Sequence, residues 1–165
     1  MLSPRAGESI LDIGAGKGEV AAKVLEASGG ANVYAVDPSG KRVEAARRAF
    51  PTVRASVAPA EKLPFSDATF DKAYATMALH HFADIEAALK ETFRVLKEGG
   101  AFLILEVDPH SRTGGVFRLF GRLRGEQMTL MNREELEARV AATALFKPKA
   151  SAPAGPGYIV LLTKA

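Results

Sequence analysis

The chain has 165 residues, a length that suits a single domain. Its 47% hydrophobic and 25% charged residues are typical of globular proteins and disfavour disorder. The sequence contains no cysteine, which excludes disulfides, thiolate metal sites and a cysteine nucleophile. Its formal net charge of +3 is too small to indicate nucleic-acid binding by itself.

No stretch of the sequence is apolar enough to predict a membrane span. The most apolar run, residues 101–105, is interrupted by Glu106 and is far shorter than the roughly 20 residues that a spanning helix needs. No apolar run follows the charge of the N-terminal Met-Leu-Ser-Pro-Arg, so we expect no signal peptide. The expectation is one cytoplasmic domain over residues 1–165.

Short apolar runs alternate along the chain with segments whose apolar residues recur every three or four positions. The first pattern predicts buried strands and the second predicts amphipathic helices. In chain order we predict a strand at 9–13, a helix at 19–27, a strand at 32–36, a helix at 41–50, and strands at 52–57 and 69–75. A helix with Asp84 as N-cap follows, with Ile85, Leu89, Phe93 and Leu96 on one face and Gly99-Gly100 closing it, and then a strand at 101–107.

The end of the chain departs from this alternation. Asn132, with Glu135 three positions later, predicts the start of another helix. Residues 146–152 and 158–163 are strand-like, and the five residues between them are too few for a crossover helix, so they predict an antiparallel hairpin. The alternation before them predicts an α/β fold in which a mostly parallel sheet carries helices on both faces.

The loop Asp12-Ile13-Gly14-Ala15-Gly16-Lys17-Gly18, between the first strand and the first helix, is the strongest chemical signal. Glycines let the backbone approach a ligand closely, and the helix N-terminus behind them favours an anionic group. Glu19 replaces the last glycine of a dinucleotide fingerprint, and Gly18 replaces the Ser or Thr of a P-loop, so phosphate ligands are disfavoured. A nucleoside that carries a carboxylate and an amino group fits better, with Asp12 facing the amino group.

Asp37 is the second signal. It ends the second predicted strand, 23 residues after Gly14, in the sequence Val-Tyr-Ala-Val-Asp-Pro. A carboxylate at this place can accept hydrogen bonds from both hydroxyls of a ribose. Asp before Pro also occurs in ordinary turns and helix caps, but the glycine loop at this distance favours the ribose role.

Together these motifs resemble motif I and its successor in class I S-adenosylmethionine-dependent methyltransferases. Three further motifs are similar to the ubiquinone/menaquinone-biosynthesis-type branch of that family; they are Ala-Glu-Lys-Leu-Pro-Phe from Ala60, Leu-His-His-Phe from Leu79 and Arg-Val-Leu-Lys-Glu-Gly-Gly from Arg94. The resemblance covers residues 8–107 and resumes in the hairpin. It implies a Rossmann-like, doubly wound sheet of seven strands, mostly parallel, with one antiparallel strand from the C-terminal hairpin.

The resemblance also implies a cofactor, S-adenosyl-L-methionine, and residues that bind it. Pro59 stands where the family usually has an Asp that accepts from the adenine amino group, so either Glu61 takes that role or water does. The expected set is Gly14, Ala15 and Gly16 at the methionine moiety, Asp12 at its ammonium, Asp37 at the ribose, Pro38, Ala60 and Glu61 at the adenine, and Met77 after the fourth strand.

His80 and His81 are the candidate catalytic residues. Methyl transfer is an in-line displacement that needs a base only when the nucleophile must lose a proton, and an imidazole titrates near neutral pH. The alternative is that one or both histidines pack in the core or cap the next helix. Neither belongs to a metal-ligand spacing, so no metal is expected.

Residues 108–131 fit none of the predicted elements and would form a lid-like insertion. They carry Arg112, Arg118, Arg122 and Arg124, while Val116, Phe117, Phe120 and Leu123 fall on one helical face. The alternatives are a surface helix that covers the sheet edge, a lid over an apolar or anionic acceptor, and a contact with a membrane surface or RNA.

The sequence thus predicts an enzyme that methylates a small molecule. A cofactor-binding module that needs a partner subunit is an alternative, because few residues precede the first strand. An RNA methyltransferase is a second alternative, although Ala75-Thr76-Met77-Ala78 stands where base N-methyltransferases carry an Asn/Asp-Pro-Pro-Tyr motif. An NAD-dependent dehydrogenase is disfavoured by Glu19. A homo-oligomer is also considered, and no nucleic-acid partner is expected.

Overall fold

The computed structural model describes residues 2–124 and 128–164, without the side chains of Phe120 and Arg124. Its seven strands are β1 (Ser9–Ile13), β2 (Asn32–Asp37), β3 (Arg54–Val57), β4 (Phe70–Thr76), β5 (Leu96–Val107), β6 (Phe146–Ala154) and β7 (Gly157–Lys164). Its five α-helices are α1 (Glu19–Ser28), α2 (Gly40–Ala49), α3 (Ile85–Val95), α4 (Arg112–Arg124) and α5 (Arg133–Thr143), and a short 3-10 helix spans Leu79–His81.

All seven strands form one sheet in the order β3-β2-β1-β4-β5-β7-β6. The first five strands are mutually parallel, and β7 runs antiparallel to both of its neighbours. The predicted doubly wound sheet with one antiparallel strand is therefore confirmed. The strand order reverses between β1 and β4, which is the place where ligands bind in open α/β sheets.

Two apolar clusters, one on each face of the sheet, hold the fold together. Ile10 of β1 packs with the helices α1 and α2, whereas Leu11 of the same strand packs with α3 and α5. Consecutive residues of a strand point to opposite faces, so a strand buried on both sides is apolar throughout. At one edge of the sheet, β6 is largely exposed and carries Pro148 and Pro153, which suits an edge strand because proline cannot donate to a neighbour.

The boundary between α3 and β5 differs from the prediction. Leu96 is not the last residue of the helix but the first residue of β5, paired with Phe70, and Gly99-Gly100 lies inside the strand. The register then shifts, so that Lys72 pairs with Ala101, and the glycines occupy this irregularity with Gly99 at φ 72°. Leu96 is fully buried, and an apolar residue at a helical spacing from Leu89 cannot by itself distinguish the two elements.

The segment 108–131 contains α4, and two residues of its predicted apolar face, Val116 and Leu123, are exposed. Val116 is 51% exposed and Leu123 is 75% exposed, while Phe117 is half-buried. Among the positions of this helix whose burial is described, Gly114 and Gly121 are the buried ones, and a side chain there would collide with Asp108 and Met128. Residues 125–127 of the predicted insertion and the side chains of Phe120 and Arg124 lie outside the described residues. Among the helices described, none is long and apolar enough to cross a membrane.

Candidate functional site

A cavity of about 470 Å³ opens at the carboxyl ends of β1, β2 and β4, beside the point where the strand order reverses. The loops that follow these strands form its walls. Its lining includes Gly14, Ala15, Gly16, Asp37, Pro38, Ala60, Glu61, Met77, Ala78 and His81.

The glycine loop wraps around the end of β2. The amides of Gly14 and Ala15 both donate to the carbonyl oxygen of Val36, at 2.8 and 2.9 Å. Gly14 has a φ of 75°, and a Cβ added to it would lie 2.5 Å from the Cβ of Ala78. Gly16, at φ 58°, has no atom within 4 Å of its missing Cβ, so the loop leaves open space there. The loop therefore needs glycine for its conformation and, at Gly14, for the close approach of the opposite wall.

Asp37 is buried at the end of β2, with 3% of its surface exposed. One carboxylate oxygen accepts from the amide of Gly16 at 2.9 Å, and the other accepts from the amide of Ser39 at 2.9 Å. Arg42 lies 3.8 Å from the carboxylate. These contacts fix the orientation of the carboxylate, and each oxygen retains a further lone pair for a hydroxyl donor.

The structure brings together eight of the nine residues predicted to bind the cofactor, and Asp12 is the exception. Asp12 is 2% exposed, does not line the cavity, and has one carboxylate oxygen without a hydrogen-bond partner. Burial raises the pKa of Asp12 to about 7, and the negative charge of Asp37 adds to the rise, while Tyr74 opposes it. Its predicted contact with an ammonium group stays a prediction.

At the far end of the cavity, Glu61 supports the loop before α3. Its Oε1 accepts from the amides of Ala83 and Asp84, at 2.8 and 3.1 Å. Asp84 in turn caps α3 by accepting from the amide of Ala87, as the sequence predicts. Glu61 also lines the cavity, so it both supports this loop and borders the ligand space.

The two adjacent histidines have different surroundings. His81 is exposed and lines the cavity. His80 is 3% exposed, is not among the lining residues, and its Nδ1 lies 2.7 Å from Oε2 of Glu106. Of the two candidates for a catalytic base, only His81 faces the ligand space.

A family model described as a methyltransferase domain matches residues 11–104. The chain belongs to this family. The ubiquinone/menaquinone biosynthesis C-methyltransferase of Rubrivivax gelatinosus is 39% identical over 107 residues, which are 64% of this chain and 42% of that protein. The demethylmenaquinone methyltransferase of Thermus thermophilus is 36% identical over 123 residues, which are 72% of this chain and 55% of that protein. The resemblance to the ubiquinone/menaquinone-type branch is confirmed.

This methyltransferase domain spans about half the length of the curated relatives it matches. A solved structure supports the fold over almost the whole chain. It is a methyltransferase in complex with the Trm112 methyltransferase activator of Haloferax volcanii, with a TM-score of 0.84 and 18% identity, covering 99% of this chain and 85% of that one. At this identity the likeness shows the fold alone.

Glu106 is a residue near the site of this methyltransferase domain that sequence reasoning missed. It is 3% exposed, and its Oε1 accepts from the amides of Ala78 and Leu79 at 3.0 and 2.7 Å. The available signal was its place in the chain, because a carboxylate that interrupts the most apolar strand is rarely buried without partners.

Proposed function

We propose that this chain catalyses methyl transfer from S-adenosyl-L-methionine to a small-molecule acceptor by in-line displacement. The observation that carries the proposal is that the glycine loop, the buried Asp37 and His81 surround one cavity of about 470 Å³. Small-molecule sites typically have volumes of roughly 300 to 1,000 Å³. When bound, the cofactor supplies a methyl group attached to a positively charged sulfur. On transfer of the methyl group, the sulfur becomes a neutral thioether, which is the leaving group.

The donor groups around the cavity fit the parts of this cofactor. The N-terminus of α1, with the open space at Gly16, suits the carboxylate of the methionine moiety. Asp37 suits the ribose, because the amides of Gly16 and Ser39 hold its carboxylate and leave lone pairs for two hydroxyls. Pro38 and Ala60 would then lie beside the adenine.

We propose a quinol-type aromatic ring as the acceptor, on the strength of the relatives named as ubiquinone/menaquinone and demethylmenaquinone methyltransferases. A ring carbon that gains a methyl group must lose its hydrogen as a proton. His81 is the proposed base, since it lines the cavity and an imidazole accepts protons near neutral pH. The main task of the other residues is to align the nucleophile with the methyl group.

Helix α4 is the proposed cover on the acceptor side. Its Phe117 ring packs edge-on against His80, with ring centroids 6.2 Å apart, which places the helix next to the loop that carries His81. The exposed Val116, Leu119 and Leu123 suit contact with an apolar acceptor, a second copy or a partner subunit.

Size-exclusion chromatography with light scattering, compared between the purified chain and Leu119→Gln, tests whether a second copy binds there. A monomer in both cases would exclude the second copy.

Two measurements test the proposed function. Calorimetry with S-adenosylhomocysteine should show binding, and the absence of binding up to millimolar concentration would contradict the proposal. Transfer of a radiolabelled methyl group from the cofactor to a short-chain 1,4-naphthoquinol should then be detected. His81→Gln should lower that rate by about 100-fold, within the range for a general base. The matched control is His110→Gln, because His110 is an exposed histidine outside the cavity lining.

A further inference from the structure

We infer that Glu106 is a positioning residue that holds the cavity wall formed by residues 76–81 and thereby sets the place of His81. The inference rests on the proposed function for the role of His81 as the base, while the structural role of Glu106 can be measured without a methyl acceptor. Glu106 itself lies outside the cavity lining, so it acts through the wall and not on a ligand.

A single buried carboxylate, that of Glu106, makes three hydrogen bonds that fasten this wall to β5. Its Oε1 accepts from the amides of Ala78 and Leu79, and its Oε2 meets Nδ1 of His80 at 2.7 Å. The backbone adds one bond, from the amide of Met77 to the carbonyl oxygen of Leu105 at 2.8 Å. The three bonds of Glu106 span 26 to 28 residues of sequence and join the end of β5 to the loop after β4.

The wall needs such an anchor because its conformation is not favourable by itself. Met77 adopts a φ of 52°, which an L-residue seldom does and which costs about 1 kcal/mol or more. The 3-10 helix that follows has Ala78 as its N-cap, and no side chain of its own satisfies the first amides. A negative carboxylate at this place satisfies both amides and suits the positive end of a helical turn.

The same carboxylate links the wall to the acceptor side. His80, held at Nδ1 by Glu106, uses its carbonyl oxygen to accept from the amide of Thr129 at 2.9 Å. Its ring contacts Phe117 of α4. Glu106 therefore fixes His80, the neighbour of His81. Through His80 it also supports the contacts with Phe117 and Thr129, which lie between β5 and α5.

The first test compares Glu106→Gln with Glu98→Gln. Glutamine keeps the oxygen that accepts from Ala78 and Leu79 but loses the charge and presents an amide to His80. We expect amide hydrogen exchange at Ala78 and Leu79 to become about tenfold faster, because a carboxylate is the stronger acceptor. The kcat with a short-chain naphthoquinol should fall about tenfold, while the Kd for S-adenosylhomocysteine changes less than about threefold, since Asp37 and Gly16 are untouched.

Glu98→Gln is the matched control. Glu98 is an exposed glutamate of the same strand, paired with Lys164, and its variant should change none of these quantities.

The second test separates positioning from proton transfer at His80. The amide nitrogen of asparagine can donate to Glu106 from nearly the place of Nδ1, whereas leucine cannot donate and neither residue can accept a proton as a base. If His80 holds the wall, His80→Asn should retain at least about tenfold more activity than His80→Leu. Equal and complete loss in both variants would overturn the inference and assign the proton to His80.

Further outcomes also overturn the inference. One is amide exchange at Ala78 and Leu79 that is unchanged in Glu106→Gln. Another is a fall in kcat that disappears when the rate is expressed per cofactor-binding site found by calorimetry, because that pattern indicates only a smaller folded fraction. A failure of the proposed function looks different, since the unsubstituted protein would then transfer no methyl group to any quinol while the exchange result for Glu106→Gln still stands.

Discussion

The two walls of the cavity share one kind of bond, from backbone amides to a carboxylate, but differ in what else they require. On the glycine-loop side, backbone amides donate to the carbonyl oxygen of Val36 and to the carboxylate of Asp37, and the loop also needs glycine at Gly14. On the opposite side, the carboxylates of Glu106 and Glu61 hold the loops before and after the 3-10 helix, which contain no glycine. Both walls contain a carboxylate that accepts from backbone amides, but only the first wall also needs glycines that lack a side chain, so the two walls should respond to different substitutions.

Gly14→Ala should have the largest effect because Gly14 lies where the two walls meet. The added Cβ would sit 2.5 Å from that of Ala78, at a φ of 75° that alanine disfavours. We expect the Kd for S-adenosylhomocysteine to rise at least about 100-fold and the free energy of unfolding to fall by about 3 to 5 kcal/mol, at the upper end of single-substitution effects. Calorimetry and urea denaturation measure the two quantities.

Gly99→Ala is the matched control for this substitution. Gly99 has nearly the same backbone conformation, at φ 72°, but nothing lies within 4 Å of its missing Cβ. Its variant should lose only about 1 kcal/mol of stability and leave the Kd unchanged. If both variants lose the same stability and neither loses affinity, backbone conformation alone explains the glycine, and the close approach to Ala78 is irrelevant.

The buried carboxyl group of Asp12 gives the next effect, a dependence of stability on pH. In the folded chain Asp12 keeps its proton up to a pKa of about 7, whereas the unfolded chain releases it near 3.8. Between these values the folded state binds more protons, so the Asp12 contribution to the free energy of unfolding falls as pH rises from about 4 to 7 and is constant above. The stability of Asp12→Asn relative to the unsubstituted protein should therefore rise by about 2 to 4 kcal/mol over that range.

Urea denaturation at a series of pH values measures this difference. Asp67→Asn, a substitution of a mostly exposed aspartate, should show no comparable slope. A flat difference for Asp12→Asn would mean that the carboxylate is ionised in the folded protein throughout. Addition of S-adenosylhomocysteine sharpens the test: if Asp12 interacts with the ammonium group, the slope should become smaller when the ligand is bound.

The same division explains how much the sequence predicts. The sheet, its antiparallel strand and the glycine-loop wall follow from local patterns, because glycine spacing and strand alternation are read over a few residues. The hydrogen bonds of Glu106 and the raised pKa of Asp12 do not, because the surroundings of a carboxylate in an apolar strand depend on residues that lie far along the chain. The helical spacing of Leu96 also predicts the wrong element, because Leu96 belongs to β5 and pairs with Phe70. No local pattern contains that contact.

Asp37→Ala tests the glycine-loop wall without a clash. We expect the affinity for S-adenosylhomocysteine to fall by about 1.5 to 3 kcal/mol, the scale for losing charge-assisted hydrogen bonds. Part of this loss should come from the amide of Gly16, which loses its 2.9 Å acceptor. Calorimetry with the analogue that lacks both ribose hydroxyls separates the two contributions: an Asp37→Ala loss of the same size for both ligands would show that the carboxylate supports only the loop.

Glu61→Gln should have the smallest effect and bears on the opposite wall. Glutamine retains an oxygen for the amides of Ala83 and Asp84, so the free energy of unfolding should change little. If the other carboxylate oxygen accepts from the adenine amino group, the affinity for S-adenosylhomocysteine should fall by about 1 kcal/mol. The inosine analogue has no amino group there, and for it Glu61→Gln should cause no loss. Equal losses for the two ligands would instead mean that Glu61 acts through the loop, as Glu106 does, and that both carboxylates of this wall position backbone and do not bind the cofactor.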